Sequence, residues 1–341
     1  MNASTLWQNY LHLKASEPKL RARDAASRLG VTEAELVAAD PLSITLFPKW
    51  ADILGELESL GIVMTLTRNE AAVHEKTGIY ANVSIQGEVG LALNPEIDLR
   101  FFLQSWRYGF ALRGERPSLQ FFDRHGDAVH KVFLTSASNE AAYDELVSRY
   151  ASCHATVEPD RRHEPTAEQP DAAVDTAAFR QGWLNLADTH EFFPLMRRFN
   201  LTRPQALRLA PVGYVRAVSL ESVSLLLHAA AEQDLPIMVF AGNQGCLQIH
   251  TGPVKKVVAM GPWLNVLDPG FNLHLRMDLF DTAFVVRKPT RDGEVTSLEC
   301  YDSDGQLIVQ YFGERKPGRP ELPGWAKLVH GLPDREARHV H

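Results

Sequence analysis

GIVMTLTRNEAAVHEKTG, residues 61–78, and LPIMVFAGNQGCLQIHTG, residues 235–252, are two versions of one segment at an offset of 174. Met64, Asn69, Thr77 and Gly78 coincide with Met238, Asn243, Thr251 and Gly252. The same offset runs on without a gap, placing Val83, Gly87, Leu93, Pro95, Leu99, Phe110 and Arg113 on Val257, Gly261, Leu267, Pro269, Leu273, Phe284 and Arg287. These eleven identities in 53 positions compare with roughly three expected by chance at ordinary composition. A five-residue insertion around 288–293 follows, after which SLQFFDRHG (118–126) aligns with SLECYDSDG (297–305). The chain is therefore read as a tandem duplication.

The blocks consist of short apolar or alternating runs broken by turn residues. GIVMTLT, LRFFLQSW and SLQFFD in the first copy answer to PIMVFAG, LHLRMDLF and SLECYD in the second, with KKVVAMG, AFVVRK and LIVQYFG beside them. Such runs are strands of an antiparallel meander. Helical sequence precedes each meander: ARDAASRLGVTEAELVAA, and HEFFPLMRRFNLTRPQALRLA; SNEAAYDELVSRYASC closes the first copy. The expected fold is α+β, each half a large antiparallel sheet of about seven or more strands with flanking helices. The first repeat is expected over 1–155 and the second over 176–341. Between them, 156–175 is rich in Pro, Glu, Asp and Ala and reads as an exposed linker. The seam between two related sheets is the expected place for a ligand pocket.

Net charge of −7 gives no general attraction to nucleic acid or anionic lipid. The first twenty residues have no apolar stretch of the secretory kind, and no run approaches the roughly 18 apolar residues of a membrane helix. Cytoplasm is the expected compartment. Three cysteines, Cys153, Cys246 and Cys300, lie too far apart for a Cys-x-x-Cys clip and fit a reducing environment. Walker, dinucleotide-binding, His-Glu-x-x-His and Gly-x-Ser-x-Gly signatures are all missing from the sequence. Any chemistry is expected to belong to a bound cofactor.

One histidine has an interpretable setting. In LADTHEFFPLMRRF, Asp188 and Glu191 have capping-box spacing, so a helix is expected to start at Asp188 with His190 in its first turn. The positive end of a helix disfavours imidazolium and leaves a lone pair for a metal. An ordinary exposed residue at a helix start fits the same pattern, and the residues alone leave both readings open.

DTHEFFPLMRRFNLTRPQAL, IMVFAGNQGCLQIHTG, WLNVLDPGFNLHL, VVRKPTRDGEVTSLE and QYFGER together resemble the second half of bacterial cytoplasmic haemin-transport and haemin-degrading proteins of the HemS/HmuS type. RNEAAVHE, LALNPEIDLRFFL and SLQFFDRHGDAVHKV resemble the first half, so the likeness covers nearly the whole chain. The resemblance implies a b-type haem between the halves with His190 as axial iron ligand. It also implies Arg100 on the opposite haem face, as the one candidate catalytic side chain. Arg203, Lys288 and Arg315 would bring positive charge, and Phe240 and Gln310 would line the pocket. These types suit a flat apolar disc carrying two carboxylates. Phe312 stands where relatives carry tyrosine, which would remove a phenol hydrogen bond near the haem. His74 matches a histidine tied to a second haem site in some relatives, and a surface histidine accounts for it equally.

The resemblance implies a protein of iron acquisition that accepts imported haem and degrades it to release iron, as an oxygenase needing oxygen and an external electron donor. A haem importer and a reductase are the implied partners. The alternative is a non-catalytic chaperone delivering haem to a separate haem oxygenase. A third reading, nucleic-acid binding, comes from the two short helices expected around Gly30–Val31, but the acidic charge and the repeat of that pair beside His190 favour a packing element.

Overall fold

Along residues 61–68 burial alternates, with Val63, Thr65 and Thr67 inside, as a strand with one core-facing side requires. The computed structural model, which describes residues 2–152, 156–162, 167–315 and 318–336, builds nine strands from each half. The first half contributes β1 (Ser43–Thr45), β2 (Gly61–Arg68), β3 (Ala72–Gly78), β4 (Val83–Gln86), β5 (Val89–Leu93), β6 (Asp98–Phe102), β7 (Trp106–Leu112), β8 (Ser118–Asp123) and β9 (Ala128–Ser138). The second gives β10 (Val215–Val218), β11 (Ile237–Gly242), β12 (Cys246–Gly252), β13 (Val257–Met260), β14 (Trp263–Asp268), β15 (Phe271–Arg276), β16 (Thr282–Thr290), β17 (Gly293–Tyr301) and β18 (Leu307–Gly313). β3 and β4 recur at the 174-residue offset as β12 and β13, residue for residue.

Two nine-stranded sheets result, ordered β1-β7-β8-β9-β2-β3-β15-β14-β13 and β10-β16-β17-β18-β11-β12-β6-β5-β4. The expectation of α+β halves with large antiparallel sheets and flanking helices is met. Expected helices form at Ala22–Arg28, Glu33–Ala38 and Glu140–Tyr150, the last capped by Asn139. The helix pair around Gly30–Val31 packs inward, Ala34 and Val37 lying with Phe110, Phe122 and Ala128 in one apolar cluster.

The chain divides into two compact units. Unit 1 comprises Met1–Arg68, His74–His163 and Gly242–Gln248; unit 2 comprises Asn69–Val73, Glu164–Ala241 and Ile249–His341. Each unit thus contains the tip of a hairpin whose sequence belongs to the other half. Where it is described, the segment 156–175 is exposed or half-buried and makes hydrogen bonds within each unit. Tyr108 Oη donates to Glu158 O and Asp160 N to Arg124 O in unit 1. Gln169 Nε2 donates to Phe199 O, and Arg208 pairs with Glu168 and Asp171 in unit 2. Cys246 and Cys300 are buried free thiols, while Cys153 lies outside the described residues.

Candidate functional site

In unit 2 the sheet has two unlike faces. Val239, Tyr311, Leu298 and Val285 point to one side and share a core with the helices Glu221–Glu232 and Pro323–His330. Across the other face runs the row Ala217, Phe284, Glu299, Gln310, Phe240, fixed by antiparallel register. The helices Thr176–Leu184, Phe192–Arg198 and Arg203–Arg208 pack over its β16 and β17 end through Val286 and Tyr301. Met238, Phe240, Gln310 and Phe312 on β11 and β18 are only half-buried. Phe240 and Phe312 meet edge-on with ring centroids 5.0 Å apart. This is an aromatic floor.

At the covered end of that row lies a fully buried carboxylate, Glu299. Arg203 donates to it through Nε (3.0 Å) and Nη2 (2.9 Å), and Lys288 Nζ at 2.9 Å. Tyr301 Oη (2.6 Å) and Ser297 Oγ (3.0 Å) donate as well. Burial pushes the Glu299 carboxyl up, but Arg203 and Lys288 outweigh it and hold the group well below the usual carboxylate range. Burial lowers the Lys288 ammonium. Both cations also sit over the Phe192 ring, Arg203 at 5.6 Å and Lys288 at 4.6 Å. With two cations against one carboxylate the cluster keeps one net positive charge. A solvated hairpin lysine is therefore not what Lys288 is: it is 4% exposed.

Phe192 follows directly on the turn that carries His190. Asp188 and Glu191 form the expected capping box, opening a 3₁₀ turn, Thr189–Glu191, that runs into the helix Phe192–Arg198. Asp188 Oδ1 accepts from the His190 backbone N–H at 2.8 Å and lies 2.6 Å from its Nδ1. The His190 backbone N–H holds the Asp188 carboxyl below its ordinary range despite partial burial, with help from the His190 ring and Arg315. The His190 side chain is 94% exposed. Its turn is pinned to the β16–β17 hairpin, where Arg291 N donates to Ala187 O and Trp183 Nε1 to Arg287 O. Arg315, just beyond β18, has a buried Nε without a hydrogen-bond partner among the described residues.

Unit 2 thus holds His190, Arg203, Phe240, Lys288, Gln310 and Arg315. Arg100 lies in unit 1 on β6, paired with Asp98 and donating to Leu99 O at 3.2 Å. His74 is not a surface residue; on β3 it is wholly buried.

A family model for the haemin-degrading HemS.ChuX domain matches this chain twice, over residues 30–150 and 200–332. The chain belongs to that family. The hemin transport protein HmuS of Yersinia pestis is 39% identical to it, covering 96% of this chain and 97% of the relative. Among solved structures, holo-PhuS, a heme-binding protein from Pseudomonas aeruginosa, superposes with a TM-score of 0.96 at 44% identity, covering 98% of this chain and all of PhuS. The heme degrading enzyme ChuS of Escherichia coli O157:H7 gives 0.91 at 38% identity, covering 97% and 100%.

Within this HemS-family chain, sequence reasoning missed Glu299 and its partners Tyr301 and Ser297. A signal existed: in SLECYD an acid interrupts an apolar strand, and Ser297, Glu299 and Tyr301 fall on one face at period two. The aligned residue of the first half is the neutral Gln120, so the acid is particular to the second copy.

Proposed function

We propose that this protein binds b-type haem on unit 2 through His190 and degrades it to release iron in the cytoplasm. The observation that carries the reading is the exposed imidazole of His190, backed by Asp188 and flanked by a cationic cluster at one end of an aromatic floor. The residues fit the group. An iron ligand, apolar walls in Phe240 and Phe312, and cations for propionates are all available, and the unpartnered Arg315 Nε adds a donor. With three isolated cysteines, covalent attachment through Cys-x-x-Cys-His is impossible. Haem, when bound, supplies the redox chemistry. The chain's own side chains ligate, orient and exclude water, which agrees with a sequence lacking an acid–base catalytic motif. Arg100 is assigned to the opposite haem face on the family likeness. The haem and the electrons come from partners, a haem importer and a reductase.

Titration of the protein with haemin, followed by oxygen and a reductant, tests the reading. Stoichiometric binding, loss of the haem absorption band and release of chelatable iron are expected; His190→Ala abolishes the histidine-ligated spectrum. Stable haem that moves intact to a separate oxygenase makes the protein a carrier instead.

A further inference from the structure

Asp188 does more than close a turn. A capping carboxylate needs only backbone N–H groups, and the His190 backbone N–H supplies one at 2.8 Å. Yet the same Oδ1 atom also stands 2.6 Å from His190 Nδ1. A carboxylate only accepts hydrogen bonds, so Nδ1 must carry the proton in this contact. That holds whether the ring is neutral or charged. In the neutral ring the lone pair is then on Nε2, the nitrogen that Asp188 leaves untouched.

Asp188 is itself fixed. Its backbone N–H donates to Glu191 Oε2 at 3.3 Å, and the Ala187 N–H donates to the same oxygen at 2.8 Å. The turn is tied to the β16–β17 hairpin through Ala187 O. The carboxylate therefore has little freedom to leave the ring, and the ring, 94% exposed, has no apolar packing to orient it. The hydrogen bond is what selects its rotamer and tautomer.

We propose that Asp188 is a positioning residue that sets His190 in the Nδ1–H tautomer, presenting Nε2 to iron and making the imidazole a more electron-rich ligand. The part concerning iron rests on the haem-binding reading above; the tautomer itself does not. Carboxylate partners of metal-bound histidines act in this way, and their removal costs about 10- to 100-fold in metal affinity.

Asp188→Asn keeps a cap of the same size without the charge, and Asp188→Ser keeps a cap too short to reach the ring, so both variants retain a competent helix start. In haem-free protein at about pH 9, where imidazole is neutral, nitrogen NMR of His190 is expected to show the Nδ1–H form in wild type. A shift toward Nε2–H is expected in Asp188→Ser. With haem, Asp188→Ser binds about 10- to 100-fold more weakly, and both variants raise the iron reduction potential. An unchanged tautomer in Asp188→Ser overturns the inference. A shifted tautomer with unaltered haem affinity and potential overturns its iron part alone. If His190→Ala keeps the wild-type haem spectrum, the ligand assignment fails while the apo tautomer result stands.

Discussion

Glu299 shows how one buried charge can decide the state of two others. Its carboxylate takes up hydrogen bonds from Arg203 and Lys288 inside unit 2, and among the described residues neither cation has a second acid paired with it. Removing one partner of a buried ionic group leaves an uncompensated charge, a loss of about 3–5 kcal/mol. Glu299→Ala should therefore lower the unfolding free energy by that order at neutral pH. Glu299→Gln, which keeps shape and some hydrogen bonds, should cost less. Because the folded-state carboxyl is held below its unfolded value of about 4.3, its contribution is fully present above that pH and is lost as the pH falls through the depressed folded value. The stability gap between wild type and Glu299→Gln should thus be widest near neutrality and narrow in acid. Denaturant unfolding at pH 7 and near pH 3 measures it; a constant gap would show that the fold does not hold the Glu299 carboxyl below its unfolded value.

At the scale of elements, the two halves repeat one kind of turn, which in the first half is fastened to a helix start. After β8, Asp123 Oδ1 accepts from His125 N and Asp127 N, and Gly126 takes φ +78°. After β17, Asp302 Oδ1 accepts from Asp304 N and Gln306 N, and Gly305 takes φ +73°. The Gly126 carbonyl accepts from Ala34 N, and a Cβ on Gly126 would fall 2.6 Å from that of Thr32, the N-cap of the helix Glu33–Ala38. Gly126→Ala combines left-handed strain of about 1–3 kcal/mol with damage to a cap worth about 1 kcal/mol. Gly213, at φ +84° with nothing nearby, meets the strain alone when changed to alanine. Thermal unfolding should rank Gly126→Ala clearly below Gly213→Ala, and equal losses would mean that the turn does not bear on the cap. The turns were legible as FFDRHG and CYDSDG, and so were strands such as β2 and β11, because alternation and turn residues are local. The His190 cap was legible for the same reason. The fastening to Thr32 was not, nor was the clasp of Arg203 and Lys288 on Glu299, since each joins residues about a hundred positions apart or depends on which strand lies beside which.

For the molecule as a whole, duplication alone would give two independent copies, yet the compact units do not follow the sequence halves. Residues 242–248 of the second half belong to unit 1, and residues 69–73 of the first belong to unit 2. The transferred tip is built into the core of unit 1. Asn243 Nδ2 donates to Arg68 O and Val129 O, the Trp106 indole donates to Gly245 O at 2.9 Å, and the Thr67 hydroxyl donates to Cys246 Sγ at 3.4 Å. Offset alignment matches Asn69 with Asn243, but periodicity cannot say which core either segment enters. Gly245 is where the exchange is most exposed to a mutation: a Cβ there would come within 2.5 Å of Val129 Cγ1 and 3.1 Å of the Trp106 indole nitrogen. Both neighbours are buried, so neither can swing into solvent. Overpacking of this kind costs about 1–3 kcal/mol, and Gly245→Val should place that cost in unit 1 although the residue belongs to the second repeat. Hydrogen exchange on the full-length variant locates it. Faster exchange in β7, β8 and β9, more than a hundred residues away in sequence, is the outcome that follows from a shared core. Faster exchange confined to β11 and β12 would mean that the tip is a passive loop and that each half stabilises itself.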